Sequence, residues 1–294
     1  MLAWSLIVSM ATLHDRYCAR LGLEITEPTV ESLKKITQAH LEKIPFENLG
    51  QHGAHGGSPV LDIAESADKV LVRNRGGFCF ELNGLLAAWW EELGGSVLRL
   101  PAVVYKGHFD SPASHVILLI DFQGKRYYVD VGFGEPPLHP LPLVLDEVLE
   151  TPEGMRSRFE RHGDRMVLLW ELENEWVPRL SWDFEASQGN RGWDLVDFSG
   201  PLSVVLDDGS IFARKMVITR CTANEKYTLA GNRLKVTGPC RFGNQVQKTV
   251  RELSSIDEVR SELNDRFGIS KAETEHLDLS RSLEGVNCDV WSQF

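Results

Sequence analysis

Arg75-Gly76-Gly77-Phe78-Cys79-Phe80-Glu81-Leu82-Asn83 is the stretch from which the rest of the chain can be read. It opens a run in which Leu82, Leu85, Leu86, Trp89 and Leu93 recur at i, i+3, i+4 spacing, which predicts a helix over 80–93. Gly94-Gly95 stops that helix, and Gly76-Gly77 ahead of it permits a close backbone approach. Cys79 therefore falls in or just before the first helical turn. A helix start offers unpaired N–H groups and the positive end of the helix dipole. Both favour thiolate over thiol, and the same N–H groups can hold an oxyanion. The competing reading is a cysteine packed as a small hydrophobe, the commoner fate of a lone cysteine. A nucleophilic thiol also needs a base, and the base needs a group to orient it.

Upstream of this helix the pattern is helical. Val30, Leu33, Ile36, Leu41 and Ile44 predict a helix over Thr29–Ile44, with Pro28 near its start and Pro45 at its end. A loop rich in Gly and His, Gln51–Pro59, leads to a helical run over Leu61–Val72. Downstream the character changes. Val97–Tyr105, His115–Phe122, Lys125–Val131, Met166–Leu172, Trp176–Leu180 and Phe212–Thr219 are rich in β-branched and aromatic residues and read as strands. Pro136–Pro142 reads as a connector. Near the end, Ser255-Ile256-Asp257-Glu258 is a capping box, followed by the apolar stripe Ile256, Val259, Leu263 and Phe267 and a stop at Gly268. Helices, then strands, then a smaller mixed piece make an α+β chain of about three subdomains.

The strand pair His115–Phe122 and Lys125–Val131 supplies the base. Gln123-Gly124 between them is a two-residue hairpin turn, so paired residue numbers sum to 247. Position 117 then faces Asp130. Because side chains alternate faces, His115 shares a face with 117 and hence with Asp130, as a diagonal neighbour. Diagonal Cβ atoms lie about 7–8 Å apart, within reach of an imidazole and a carboxylate leaning together. Taken singly, a strand-end histidine and a turn-flanking aspartate are ordinary surface residues. On one face, downstream of a helix-start cysteine, they make a Cys79–His115–Asp130 set. Its chain order is that of papain-like thiol enzymes, and helix-then-strand placement is the papain and transglutaminase arrangement. The set by itself points to acyl transfer through a thiol and names no substrate.

Composition narrows the rest. The 294 residues are 43% hydrophobic and 25% charged, as in a globular protein with a sizeable core. A net charge of −11 without like-charge blocks argues against nucleic acid as a partner. The five cysteines, Cys18, Cys79, Cys221, Cys240 and Cys288, are scattered without a CxxC pair, which fits neither a disulfide framework nor a zinc site. A reducing cytoplasm is the expected compartment, and no metal is expected. The apolar stretch Leu2–Ala11 is too short to span a membrane and lacks the marks of a signal peptide, so no membrane partner is expected.

At this point the chain resembles the arylamine N-acetyltransferase family. Three blocks carry the likeness: Ile44-Pro45-Phe46-Glu47-Asn48-Leu49, Arg75 through Asn83, and Asp130-Val131-Gly132-Phe133-Gly134. Ser114-His115-Val116-Ile117-Leu118-Leu119 is similar to the family's histidine-bearing strand, and Leu61-Asp62 and Lys69-Val70-Leu71 also fit. The likeness is close over residues 13–135 and looser beyond. It implies a helical domain over 1–95 with the nucleophile, a β-barrel domain over 96–205 with His and Asp, and an α/β lid over 206–294. It implies transfer of an acetyl group from acetyl-CoA, as cosubstrate, to an arylamine or hydrazine in two steps, with Cys79 as nucleophile, His115 as base and Asp130 as orienter. It further implies a substrate and CoA cleft bordered by Phe46, Val104, Gly132, Phe133 and Gly134.

A thiolate attacking a thioester yields another thioester, so the acyl group stays activated until an amine arrives. Water must then be excluded, and Phe78, Phe80 and Phe133 are candidates for a dry wall, with core packing the better reading for Phe80. Glu47, Arg75 and Glu81 read as structural ion-pair partners. Ser199-Gly200-Pro201-Leu202-Ser203-Val204-Val205 matches the family's entry to the lid only in part and lacks its aromatic residue, and Trp182–Phe198 is altered. Alternative readings of the same triad are amide synthesis on a carrier-bound chain, transfer from propionyl- or malonyl-CoA, a thiol hydrolase, and a non-catalytic binder.

Overall fold

The computed structural model describes residues 11–238 and 247–278. Cys240, Cys288 and all but the last residue of the apolar stretch Leu2–Ala11 lie outside the described residues.

Helix α1 (Leu13–Leu21) starts at Thr12, whose hydroxyl accepts from the Asp15 N–H while the Asp15 carboxylate accepts from the Thr12 N–H. Helix α2 (Val30–Lys43) starts at Thr29, which accepts from the Ser32 N–H at 3.0 Å. It stops at Ile44 because the residue before a proline is pushed out of the helical region. A two-residue strand, β1 (Phe46–Glu47), follows. Helix α3 (Ile63–Ala67) runs into one π-helical turn over Asp68–Val72. Helix α4 (Cys79–Glu92) begins at Cys79, one residue earlier than the apolar spacing predicts. Its Leu82, Leu85, Leu86, Trp89 and Trp90 are all fully buried. Each such side chain contributes about 1.5–3 kcal/mol by leaving water, which makes α4 the axis of the helical region.

The barrel strands are β2 (Ser96–Val104), β3 (His115–Phe122), β4 (Lys125–Val129), β5 (Leu141–Pro142), β6 (Leu149–Glu150), β7 (Arg156–His162), β8 (Arg165–Leu172) and β9 (Glu175–Asp183). They form one antiparallel sheet in the order β5-β4-β3-β2-β9-β8-β7-β6. The connector between the two edge strands bridges back onto β7 at Leu145 and Phe159, which leaves the barrel nearly closed. Ile117 and Leu119 point into the barrel with Tyr128, Trp170 and Trp182. Val116, Leu118 and Ile120 point the other way, into the core that holds α4. β3 is therefore apolar on both faces, as a strand between two cores must be.

Short helices α5 (Phe184–Gln188), α6 (Ser199–Leu206) and α7 (Ile211–Arg214) lead to the second sheet. That sheet comprises β10 (Val217–Cys221), β11 (Lys226–Ala230), β12 (Arg233–Thr237) and β13 (Lys248–Glu252), with β1 as its first strand in the order β1-β10-β11-β12-β13. Helix α8 (Ile256–Phe267) covers it with Val259, Leu263 and Phe267, which pack among Ile218, Leu229 and Leu234. Ser255 accepts from the Glu258 N–H, but the Glu258 carboxylate accepts from the Ser254 N–H rather than from Ser255, so half of the predicted capping box forms, and Gly268 ends the helix at a φ of 72° as predicted.

One predicted strand is corrected. In the Phe212–Thr219 run, 212–214 are helical, and only 217 onward belongs to a strand. Ser210 accepts from the Phe212 N–H and the Lys215 N–H bonds to the Ile211 carbonyl, which closes a helical turn. Over so few residues the apolar run Ile211-Phe212-Ala213 satisfies either period.

Candidate active site

The loop before α4 is shaped by what lies under it. A Cβ on Gly76 would lie 2.1 Å from the Pro45 carbonyl oxygen, so the backbone can run there only as glycine. Gly77 is stitched to β1: its N–H donates to Pro45 O at 3.3 Å, and its carbonyl accepts from Glu47 N at 3.0 Å. The Glu81 carboxylate accepts from the Phe78 N–H at 2.9 Å and from Lys69 at 3.0 Å, capping the helix one residue before Cys79. Arg75 grips Glu47 with Nε at 3.0 Å and Nη2 at 2.8 Å, both side chains fully buried. Burial alone would raise the Glu47 pKa, but the Arg75 and Lys69 charges hold it below its ordinary value. The polar cluster thus fixes the loop and takes no part at the thiol.

The β3–β4 hairpin has the register that the spacing predicts. Leu118 pairs with Val129, Leu119 with Tyr128, and Phe122 with Lys125. Gln123 and Gly124 both have positive φ, 49° and 74°, the signature of a two-residue primed turn. The ladder ends at Val129, so Asp130 stands just past the strand rather than within it. His115 Nε2 donates to Asp130 Oδ2 at 2.7 Å, and both residues are buried.

Asp130 takes three further donors. The Tyr128 hydroxyl donates to Oδ2 at 3.0 Å, while Asn83 Nδ2 at 2.9 Å and the Gly132 N–H at 2.8 Å donate to Oδ1. Asn83 lies one helical turn after Cys79 on the same face of α4. It also donates to the Val116 carbonyl and accepts from the Val131 N–H, each at 2.8 Å. One side chain thereby ties the thiol's helix to both flanks of the hairpin. Gly132 closes the arrangement: a Cβ there would lie 2.5 Å from Cys79 Cα, so bare backbone rests on the cysteine.

Burial favours neutral His115, but Asp130, and after it Cys79, overturn that preference and hold its pKa up at about 10. With Nε2 committed to Asp130, the nitrogen left for Cys79 is Nδ1. His115 is accordingly an imidazolium through neutral pH. Because the folded value is raised, the stabilisation it brings is complete below the ordinary histidine value of about 6.5 and is lost as pH rises through about 10. In an NMR titration the His115 ring resonances should stay flat from about pH 6 to about pH 8. A midpoint near 6.5 would overturn this electrostatic account.

Cys79 and His115 line a cavity of about 280 Å³. Phe46, Phe78, Val104, Gly132 and Phe133 line it, together with Val204, Val205, Ile211 and Phe212 from α6 and α7. Phe78 packs edge-on against Phe46 at 5.4 Å and Phe212 at 5.1 Å, and Phe133 meets the His115 ring at 5.3 Å. Lys106 and Arg214 also line it and are exposed, which puts positive charge at the mouth of a largely apolar space. Of the residues singled out in the sequence, Phe46, Val104, Gly132 and Phe133 line this cavity. Gly134 does not; its carbonyl accepts from Thr219 Oγ1 at 3.1 Å. Phe80 lies in the helical core.

Sequence reasoning missed three contributors. Asn83 could have been found from its i+4 spacing to Cys79, and Tyr128 from its period-two spacing to Asp130. The wall from α6 and α7 carries no local signal. Cys18, Cys79 and Cys221 are free of disulfides. Among the described residues no His/Cys/Asp/Glu group is arranged to hold a metal ion, and no helix is long and apolar enough to cross a membrane.

Residues 29–275 match a family model described as N-acetyltransferase. The arylamine N-acetyltransferase of Mycolicibacterium smegmatis is 35% identical over 231 residues, which cover 75% of this chain and 80% of that protein. A solved structure of the M. smegmatis enzyme superposes with a TM-score of 0.80 at 30% identity, over 93% of this chain and 98% of that one. The Mycobacterium marinum arylamine N-acetyltransferase, solved in complex with CoA, superposes with a TM-score of 0.76 at 28% identity, over 90% and 95%.

Proposed function

The chain belongs to the arylamine N-acetyltransferase family, and on that footing we propose that it acetylates arylamines or hydrazines from acetyl-CoA through an acetyl-Cys79 intermediate. What supports this reading is that Cys79 and His115 line one largely apolar cavity while His115 is bonded to buried Asp130 at 2.7 Å. The Cys79 thiolate attacks the thioester carbonyl, the carbon–sulfur bond to CoA breaks, and the departing CoA sulfur takes the proton held by His115. The amine then attacks acetyl-Cys79, His115 takes its proton, the carbon–Sγ bond breaks, and the thiolate is restored. Asp130 keeps the imidazole oriented and offsets its charge. The unpaired N–H groups in the first turn of α4 suit the oxyanion formed at each attack.

The walls support the acceptor class. Phe46, Phe78, Phe133 and Phe212 offer flat apolar surface to an aromatic ring and keep water from the thioester. A space of about 280 Å³ is at the lower edge of the roughly 300–1,000 Å³ usual for ligand pockets, which favours a small amine over a carrier-bound chain. Lys106 and Arg214 suit an anionic donor such as CoA. The relative solved with CoA supports the same cosubstrate. We place the nucleophile in a helical domain over 1–95, His115 and Asp130 in the barrel domain over 96–205, and the α6–α7 wall at the junction with a lid over 206–294, with the protein acting in the cytoplasm.

The test is release of CoA from acetyl-CoA with and without a panel of arylamines and hydrazines. Release that requires the amine is expected. Equal release without amine would identify a hydrolase, and release from propionyl- or malonyl-CoA alone would replace the donor.

A further inference from the structure

Asp130 collects four donors, and they are not equivalent. Gly132 and Asn83 hold Oδ1 from the backbone and from α4. Oδ2 is the oxygen that faces His115, and the Tyr128 hydroxyl shares it at 3.0 Å. Tyr128 is 1% exposed, and its ring is held from the barrel interior. It stacks parallel to Trp182 with centroids 5.8 Å apart and meets Phe159 edge-on at 5.8 Å. It does not line the cavity.

We propose that Tyr128 is a positioning residue whose hydroxyl, donating to the oxygen that takes His115, fixes the rotation of the Asp130 carboxylate and so aims the imidazole at Cys79. Rotation of a carboxylate about the bond to its Cβ moves both oxygens, so donors on Oδ1 and on Oδ2 oppose it together, and the Tyr128 hydroxyl is the one that opposes it at the oxygen facing His115. The pin is rigid because the tyrosine ring is clamped in the packed barrel, and the barrel core thereby sets the geometry at the thiol. The hydroxyl remains a donor throughout the working range, since burial, with the Asp130 charge adding to it, pushes its pKa well above the ordinary tyrosine value. The charged groups facing His115 are Asp130, at the end of β4, and Cys79, at the start of α4.

This inference rests on the proposed triad, and its test separates the two. Tyr128→Phe removes one oxygen atom and leaves the ring stack and the other three donors in place. Amine acetylation should fall about tenfold in kcat, the scale of one hydrogen bond to a charged group, with the amine KM unchanged. The His115 ring should titrate at higher pH than in the wild-type protein, because Asp130 has lost a donor that shared its charge. Wild-type kcat with an unmoved titration would overturn the proposal. So would a loss confined to KM, or one restored by raising thermal stability. A measurement without substitution guards against poor folding: in the wild-type protein, the Tyr128 hydroxyl proton and the His115 Nε2 proton, which both point at Asp130 Oδ2, should show a mutual through-space NOE. Absence of that contact in folded protein refutes the positioning role whatever reaction the protein catalyses.

Discussion

Cys79→Ala is expected to lower amine acetylation on the order of 10⁴-fold or more while leaving the fold intact. The side chain is small and buried at the first residue of α4, so trimming its sulfur leaves only a minor void. Chemically nothing replaces it. Cys18 and Cys221 are buried elsewhere, and Cys79 is the thiol that acts on the His115 ring held by Asp130. The same protein given acetyl-CoA and no amine should gain one acetyl group, located by mass spectrometry on Cys79, and Cys79→Ala should gain none. Acetylation of a different residue, or amine turnover within tenfold of wild type in Cys79→Ala, would sink the covalent route.

Asp130→Asn should be nearly as damaging. The aspartate accepts from His115, Tyr128, Asn83 and the Gly132 N–H. Asparagine offers one acceptor oxygen and a donor amide, so in either orientation two buried donors face an N–H. Each such clash costs about 1–3 kcal/mol, and the imidazole loses both its orientation and its counter-charge. A loss of about 10⁴-fold in kcat is the scale known for this change in a comparable His–Asp pair. The His115 titration should fall back toward its ordinary range. Activity within tenfold of wild type would mean that Asp130 does not orient the base.

Much of this was legible because the deciding distances are short in sequence. A two-residue turn at Gln123-Gly124 fixes register, register fixes parity, and parity brings His115 to Asp130. Gly76-Gly77 and the apolar spacing placed Cys79 at a helix start. Pairings between distant segments were not legible. β1 is two residues long, too short for any periodicity, and its partner β10 lies some 170 residues away. The helix at Ile211–Arg214 depends on Ser210 turning back to cap it, and its apolar run alone could not distinguish it from a strand. Tyr128 looked like one more strand aromatic. Its hydroxyl matters only because Asp130 leaves the ladder one residue after β4 and turns back toward it.

The pairing of β1 with β10 also bears on how the chain comes to life at the ribosome. Domains generally fold as units while they are being synthesised, N-terminal first, and the segment carrying Cys79 emerges early. Yet Phe46, which walls the cavity, belongs to a strand whose hydrogen-bonded neighbour, residues 217–221, is translated only after the whole barrel. The nascent helical region therefore carries a cysteine whose surroundings are unfinished, and the cavity takes shape only when the last third of the polypeptide arrives.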